Sequence, residues 1–133
     1  MKVVLDTNVL LTSLPKDSMY RKIFDALING KIELAVSTEV LLEYEELLSI
    51  EINESVAYNV LALLSALINV NSYEIYFQWN FITKDWDDNK FVDLAIRSNA
   101  DYIVTNDKHF RVLEKITFPK VSVISSEDFL KLL

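Results

Sequence analysis

The sequence predicts an α/β fold: a three-layer α/β/α sandwich around a central, mostly parallel sheet. Three observations carry that expectation. Short apolar runs recur, as in Lys2-Val3-Val4-Leu5 and Val121-Ser122-Val123-Ile124, which suits strands buried on both faces. Stretches with helical spacing separate them, and this alternation is the pattern of a parallel sheet covered by helices. No linker, low-complexity tract or repeat interrupts the 133 residues, so one domain over 1–133 is expected.

The elements follow in order. Lys2 to Leu5 reads as a buried strand ending in Asp6. Residues 18–28 read as a helix with Ile23, Phe24 and Leu27 on one side, stopped by Asn29-Gly30. Residues 32–36 form a second strand. Ser37 caps a helix to about Ile50, with Glu39 in the favourable first turn. Asn53 caps another, to about Val70. Residues 73–77 alternate like a strand. Residues 88–99 read as a helix with Phe91, Leu94, Ala95 and Ser98 inward, and Asn99 suits the left-handed position after it. Tyr102-Ile103-Val104 is a strand running into Thr105-Asn106-Asp107. A short helix through Val112-Leu113, a strand over 121–124 and a terminal helix capped by Ser125 or Ser126 complete the chain.

Composition excludes much. Without cysteine there is no disulfide scaffold, thiolate zinc site or thiol chemistry. One histidine excludes multi-histidine metal sites, and one glycine, Gly30, excludes glycine-rich phosphate loops. The net charge of −7 is not that of a basic nucleic-acid binder. Any polyanion would need local cations, bound metal or a basic partner. Asp6 cuts the first apolar run, so no signal peptide is expected. The apolar stretch between Val56 and Val70 is too short to span a bilayer. A cytoplasmic protein without membrane contact is the expectation.

Carboxylates carry the functional signal. Asp6 and Asp107 stand at the carboxyl ends of strands, where ligands sit in open α/β sheets. Each could equally cap the element that follows. Glu43 falls on a stripe with Val36, Val40, Leu47 and Ile50. A carboxylate there is either paired or metal-bound, or reaches water from the stripe's edge. Asp88 starts the core face of its helix, with Asp85 and Asp87 beside it, where capping and dipole complementarity also suit acids. If Asp6, Glu43, Asp88 and Asp107 converge, their repulsion calls for divalent cations. Oxygen ligands without EF-hand spacing favour Mg²⁺ or Mn²⁺, the ions of phosphoryl hydrolysis.

These motifs resemble a PIN domain, the metal-dependent ribonuclease fold found in VapC-like toxins of toxin–antitoxin pairs. The residues that carry the likeness are Leu5-Asp6-Thr7-Asn8-Val9-Leu10, the run Ser37 to Tyr44, Asp85-Trp86-Asp87-Asp88-Asn89-Lys90-Phe91, and Ile103-Val104-Thr105-Asn106-Asp107. The third run resembles the subgroup of PIN-family toxins. The resemblance implies that Asp6, Glu43, Asp88 and Asp107 are the catalytic and metal-binding acids. It makes Asn8, Ser37 and Thr105 polar helpers. It further implies endoribonucleolytic hydrolysis with Mg²⁺ or Mn²⁺, leaving a 5′-phosphate and a 3′-hydroxyl, and a cognate antitoxin as partner. Asp87 could replace or assist Asp88, Glu39 competes with Glu43, and Asn106 stands where glycine is common.

Lys84, Lys90, Lys108 and Arg111 flank the acids and could meet RNA phosphates, or could simply be solvated. His109 reads as a surface residue, since a metal-activated water needs no histidine. Phe77, Trp79, Phe81 and Trp86 could stack bases or serve core and interfaces. The helix after Asn53 is apolar over much of its surface, from Val56 through Val60, Leu61, Leu63, Leu64 and Leu67 to Ile68, so a homodimer is expected if a partner shares it. A catalytically silent scaffold that binds RNA or a protein is the alternative function. A phosphatase with Asp6 as nucleophile is a third, weakened by Asn8 where a second aspartate would stand.

Overall fold

The computed structural model describes all 133 residues. Its strands are β1 (Lys2–Leu5), β2 (Glu33–Val36), β3 (Val70–Ser72), β4 (Tyr102–Val104) and β5 (Val123–Ile124). Its helices are α1 (Thr7–Ser13), α2 (Arg21–Ile28), α3 (Thr38–Glu51), α4 (Glu54–Ala66), α5 (Asn89–Ser98) and α6 (Ser126–Leu130). Trp86–Asp88 and Lys108–Lys115 wind as 3₁₀ turns. The sheet is parallel throughout, in the order β3-β2-β1-β4-β5, and is flanked by the helices.

That order decides where a ligand can sit. The chain builds β1, β2 and β3 in one direction, then returns to lay β4 on the other side of β1. The strand order reverses at β1 and β4, and the crevice outside their carboxyl ends is the natural binding position. Leu5 pairs with Val104, and the Asp6 N–H donates to the Val104 carbonyl at 3.0 Å. Asp6 and Thr105 therefore leave the sheet side by side.

The core explains why the strands read as continuous apolar runs. Val3, Val4, Leu5, Leu34, Ala35, Ile103 and Val104 are fully buried. Helix α5 covers β1, β2 and β4 with Phe91, Val92, Leu94 and Ala95. Asn99 ends it at φ 56°, and Gly30 follows α2 at φ 75°, both left-handed.

Several boundaries differ from the sequence reading. Helix α1, unassigned from sequence, follows β1 after a single residue. Its run Thr7-Asn8-Val9 is rich in weak helix formers, and burial of Val9 and Leu10 overrides that preference. Residues 18–20 form a turn before α2, with the Ser18 hydroxyl accepting from the Tyr20 N–H. Helix α4 stops at Ala66 rather than near Val70. There the Asn69 amide donates to the carbonyls of Leu27 and Ile32, drawing the chain into the sheet. The third strand is Val70–Ser72, not 73–77. Pairing ends where the Tyr73 N–H reaches the Val36 carbonyl, and the alternating segment beyond has no partner strand. Ser125, not Ser126, caps α6.

In α3 the buried positions are Val40, Tyr44 and Leu48, a stripe rotated from the one drawn through Glu43; Ile50 is 66% exposed. Tyr44 turns inward because its hydroxyl donates to the Leu5 carbonyl at 2.6 Å. This bond ties α3 to the end of β1, next to Asp6. Tyr44→Phe leaves the ring in place and removes only the bond, so urea denaturation should show a loss of about 1–2 kcal/mol. An unchanged midpoint would mean that the bond contributes nothing.

Candidate active site

Asp6 occupies the position before α1 without making the side-chain cap bond of a helix start. The Thr105 hydroxyl donates instead to Asp6 Oδ2 at 2.6 Å. The same hydroxyl accepts from the Asp107 N–H at 3.1 Å. Thr105 is buried and links the two strand-end acids through one oxygen. Asn106 anchors this loop. Its side chain exchanges hydrogen bonds with the hydroxyl and backbone N–H of Ser126 at 2.8 and 3.0 Å. Asp107 Oδ1 accepts from the His109 N–H at 2.8 Å, so Asp107 does cap the turn that follows.

Glu43 sits at the flank of the α3 stripe and reaches the same end of the sheet. The Thr7 hydroxyl donates to Glu43 Oε2 at 2.5 Å, and Lys90 Nζ pairs with Oε1 at 2.8 Å. Asp88, at the end of the 3₁₀ turn before α5, comes from the other side. Its side chain is 13% exposed, and its Oδ2 lies 3.2 Å from His109 Nδ1. His109 Nδ1 is also 3.5 Å from Asp107 Oδ1. Asp85, Asp88 and His109 each bring one ligand-type atom within 4.8 Å of the others.

The electrostatics record the crowding. Burial pushes the Asp6 carboxyl above its ordinary range; the Thr105 bond opposes this, and the charges of Glu43 and Asp107 add to it. Burial likewise pushes Asp88 up to about 6, against the bond from His109 and reinforced by Asp107, Asp85 and Asp6. Tyr44 is raised by burial first, then by Asp6 and Glu43. Asp6 thus feels Glu43 and Asp107, and Asp88 feels Asp107 and Asp6.

The remaining candidates are placed as follows. Asn8 is exposed and shares a cavity of about 290 Å³ with Asp6, Asn106 and Asp107. Ser37 is buried and its Oγ accepts from the Val40 N–H at 3.3 Å, capping α3. Glu39 and Asp87 line a different cavity, with Asp93. Among the basic residues, Lys90 is committed to Glu43, whereas Lys84, Lys108 and Arg111 are exposed and form no ion pair. His109 stands on the surface of the 3₁₀ turn, its side chain 40% exposed, as the sequence reading expects; what that reading missed is that its Nδ1 approaches both Asp88 and Asp107.

Asp6 after β1, Glu43 on α3, Asp88 in the turn before α5 and Asp107 after β4 thus lie near the carboxyl ends of β1 and β4, with Asp6 in charge range of the other three, but only Asp85, Asp88 and His109 bring ligand atoms within 4.8 Å of one another. The PIN domain family profile matches residues 2–109, which include all of them. The chain belongs to the PIN domain family. Solved structures agree on the fold. A chain in the structure of VapBC2 from Rickettsia felis, bound to a DNA fragment from their promoter, superposes with a TM-score of 0.63. It has 18% identity, over 94% of this chain and 98% of that one. VapBC-1 from nontypeable Haemophilus influenzae gives 0.63 at 16% identity, over 96% and 99%. FitAB bound to an IR36 DNA fragment gives 0.61 at 17%, over 93% and 94%. No curated protein matches the sequence. In this PIN domain, no helix is long and apolar enough to cross a membrane.

Proposed function

We propose that the chain is a metal-dependent endoribonuclease that hydrolyses RNA phosphodiester bonds, the toxin component of a toxin–antitoxin pair. The observation that supports it most is the strain on Asp6 and Asp88 at the strand-order reversal, where burial and then the charges of neighbouring acids raise both carboxyls. A buried carboxylate such as Asp6, with other acids near it, is costly unless a cation binds it. Asp6 has one side-chain hydrogen-bond donor, Thr105. The donor set is rich in oxygen, which fits Mg²⁺ or Mn²⁺, and the His109 imidazole beside Asp88 suits Mn²⁺ as well. Asp6, Glu43, Asp88 and Asp107 would hold the ion, with Asp85 and His109 at its border. Bound there, it would polarise a phosphate and lower the pKa of a water.

The chain's own groups hold this arrangement. Thr105 fixes the Asp6 carboxylate, and Lys90 and Thr7 fix the two oxygens of Glu43. His109 restrains Asp88 and Asp107. Lys84, Lys108 and Arg111 remain available to RNA phosphates. The antitoxin reading draws on the VapBC structures that share the fold. A cytoplasmic location goes with it. The homodimer reading concerns α4. Val60 and Leu64 are buried within the chain, while Val56, Leu61, Leu63 and Leu67 are half-buried and Ile68 is 97% exposed.

The test is RNA cleavage with Mn²⁺, compared with Asp6→Asn and Asp107→Asn. The parent should cut, and each variant should lose on the order of a thousandfold, since metal ligation supplies several kcal/mol to the transition state. Full activity in both variants would remove the assigned centre. The second reading, a silent scaffold binding RNA or a protein, draws on the pairing of Glu43 with Lys90, which neutralises one acid internally. Calorimetric titration separates the two. Absence of Mg²⁺ or Mn²⁺ binding at millimolar concentration would favour the scaffold.

A further inference from the structure

A second cavity, of about 660 Å³, lies beside the carboxylate centre, and two residues join them. Lys90 lines the cavity while its ammonium pairs with Glu43, and Asp87 lines it next in the chain to Asp88. Trp86 and Phe77 line it too, 60% and 62% exposed, although large aromatic rings are mostly buried. Phe77 rests edge-on against Trp79, with ring centroids 4.7 Å apart, whereas Trp86 meets no other aromatic ring. Tyr76 is the third ring of the lining, but the Arg97 guanidinium already lies over it, 5.4 Å from its centroid.

The turn that carries Trp86 is fixed on both sides. Asp85 Oδ1 accepts from the Asp87 N–H at 3.0 Å. The buried Asn89 side chain accepts from the Ile82 N–H at 2.9 Å and donates to the Ile82 carbonyl at 2.8 Å. An exposed ring on a braced turn is a platform ready for a flat ligand, with little ordering left to lose on binding. Beside it, Glu39 and Asp87 are the exposed carboxylates of the lining, and neither is in an ion pair.

We propose that this cavity takes one base of a single-stranded RNA, and that guanine is the base it selects. Unstacked bases bind by lying on aromatic rings and by hydrogen bonds along their pairing edges. Trp86 supplies the ring and Phe77 a second apolar wall. An ionised carboxylate only accepts hydrogen bonds. Guanine sets an N1–H and an amino group side by side on its pairing edge, so one carboxylate of Glu39 or Asp87 takes both. Uracil offers a single N–H between two carbonyl oxygens, which the acids repel. Adenine and cytosine each offer one amino group beside an unprotonated ring nitrogen. The same acids keep phosphates out, so the base enters and the backbone stays outside. The inference rests on RNA being the substrate of the neighbouring centre.

The test uses the full chain in EDTA, so that neither metal nor cleavage enters the readout. The dinucleoside monophosphates UpG, UpI and UpU are titrated while the indole N–H resonance of Trp86 is followed by NMR, assigned with Trp86→Phe. UpI keeps the N1–H of guanine and lacks its amino group. UpG should shift the resonance saturably, with UpI binding about threefold or more weakly and UpU about tenfold or more weakly. The double variant Glu39→Gln, Asp87→Asn changes two exposed side chains and should bring UpG within about twofold of UpU. Trp86→Ala, followed on the nucleotide's own resonances, should weaken UpG about tenfold. Equal binding of UpG and UpU, a guanine preference that survives the double variant, or a glycine–leucine peptide that shifts the resonance as strongly as UpG would each overturn the pocket. A chain that cuts RNA with Mn²⁺ and gives any of these results keeps the nuclease reading and loses the pocket. One that prefers UpG and cuts nothing keeps the pocket and loses the nuclease.

Discussion

Asp88→Asn will unfold at a higher temperature than the parent at pH 7 in EDTA, while losing RNA cleavage by about a thousandfold. The first effect follows from the Asp88 carboxyl, whose folded value of about 6 lies above the ordinary 3.8 because of burial and its acidic neighbours. Below about pH 4 the group is protonated in the folded and unfolded chain alike and contributes nothing. As pH rises through about 4 to 6, the unfolded chain gives up its proton first, and the equilibrium moves toward unfolding. The full cost is present above about pH 6. Solvent screening of a half-buried group reduces it to on the order of 2 kcal/mol. Asparagine removes that cost, which corresponds to roughly 5–8 °C in Tm.

Asp6, raised in the same direction, adds to the slope. Calorimetric scans between pH 4 and 8 check the sign. Stability of the metal-free parent should fall as pH rises, and the variant's slope should be shallower. Mn²⁺ should raise the parent's Tm by binding the folded state, and the variant's much less. A variant less stable than the parent at pH 7 would mean that Asp88 is not strained by its neighbours.

Thr105→Val will be costly in both stability and activity. Valine matches threonine in shape but removes the hydroxyl that donates to Asp6 and accepts from the Asp107 N–H. Two polar groups then lose a partner in a buried setting, about 2–3 kcal/mol by urea denaturation. Groups that orient metal ligands from behind typically matter 10–100-fold, so the proposed cleavage should fall by about that factor. Thr105→Ser keeps the hydroxyl and should recover most of both. A valine variant with parental stability and activity would show that the Asp6 and Asp107 carboxylates are placed without this bridge.

Residues at chain-order landmarks were legible in advance. Asp6 and Asp107 follow apolar strands, and the parallel-sheet reading places strand ends beside a ligand site. The caps Ser37 and Asn53 and the left-handed Asn99 were legible too, because capping depends on the few residues around a helix end. Residues 73–77 show the opposite case. Their alternation is real, but a strand exists only if a neighbour supplies hydrogen bonds, and Tyr73 is the last residue with one. Glu43 and His109 differ in the same way. The helical stripe put Glu43 near the core, but the Tyr44–Leu5 bond set the rotation of α3. His109 gained its place between two acids only when the loop after β4 met the turn before α5.

By itself the sequence determined the alternating α/β pattern, the caps Ser37 and Asn53 with the left-handed Asn99, and which acids stand where strands finish. Those properties are set by side chains within a few positions of one another along the chain. The tertiary structure alone decided that β4 returns beside β1, that Glu43 comes within charge range of Asp6, and that His109 approaches both Asp88 and Asp107. Each of these depends on groups far apart in sequence, whose distances are fixed by packing.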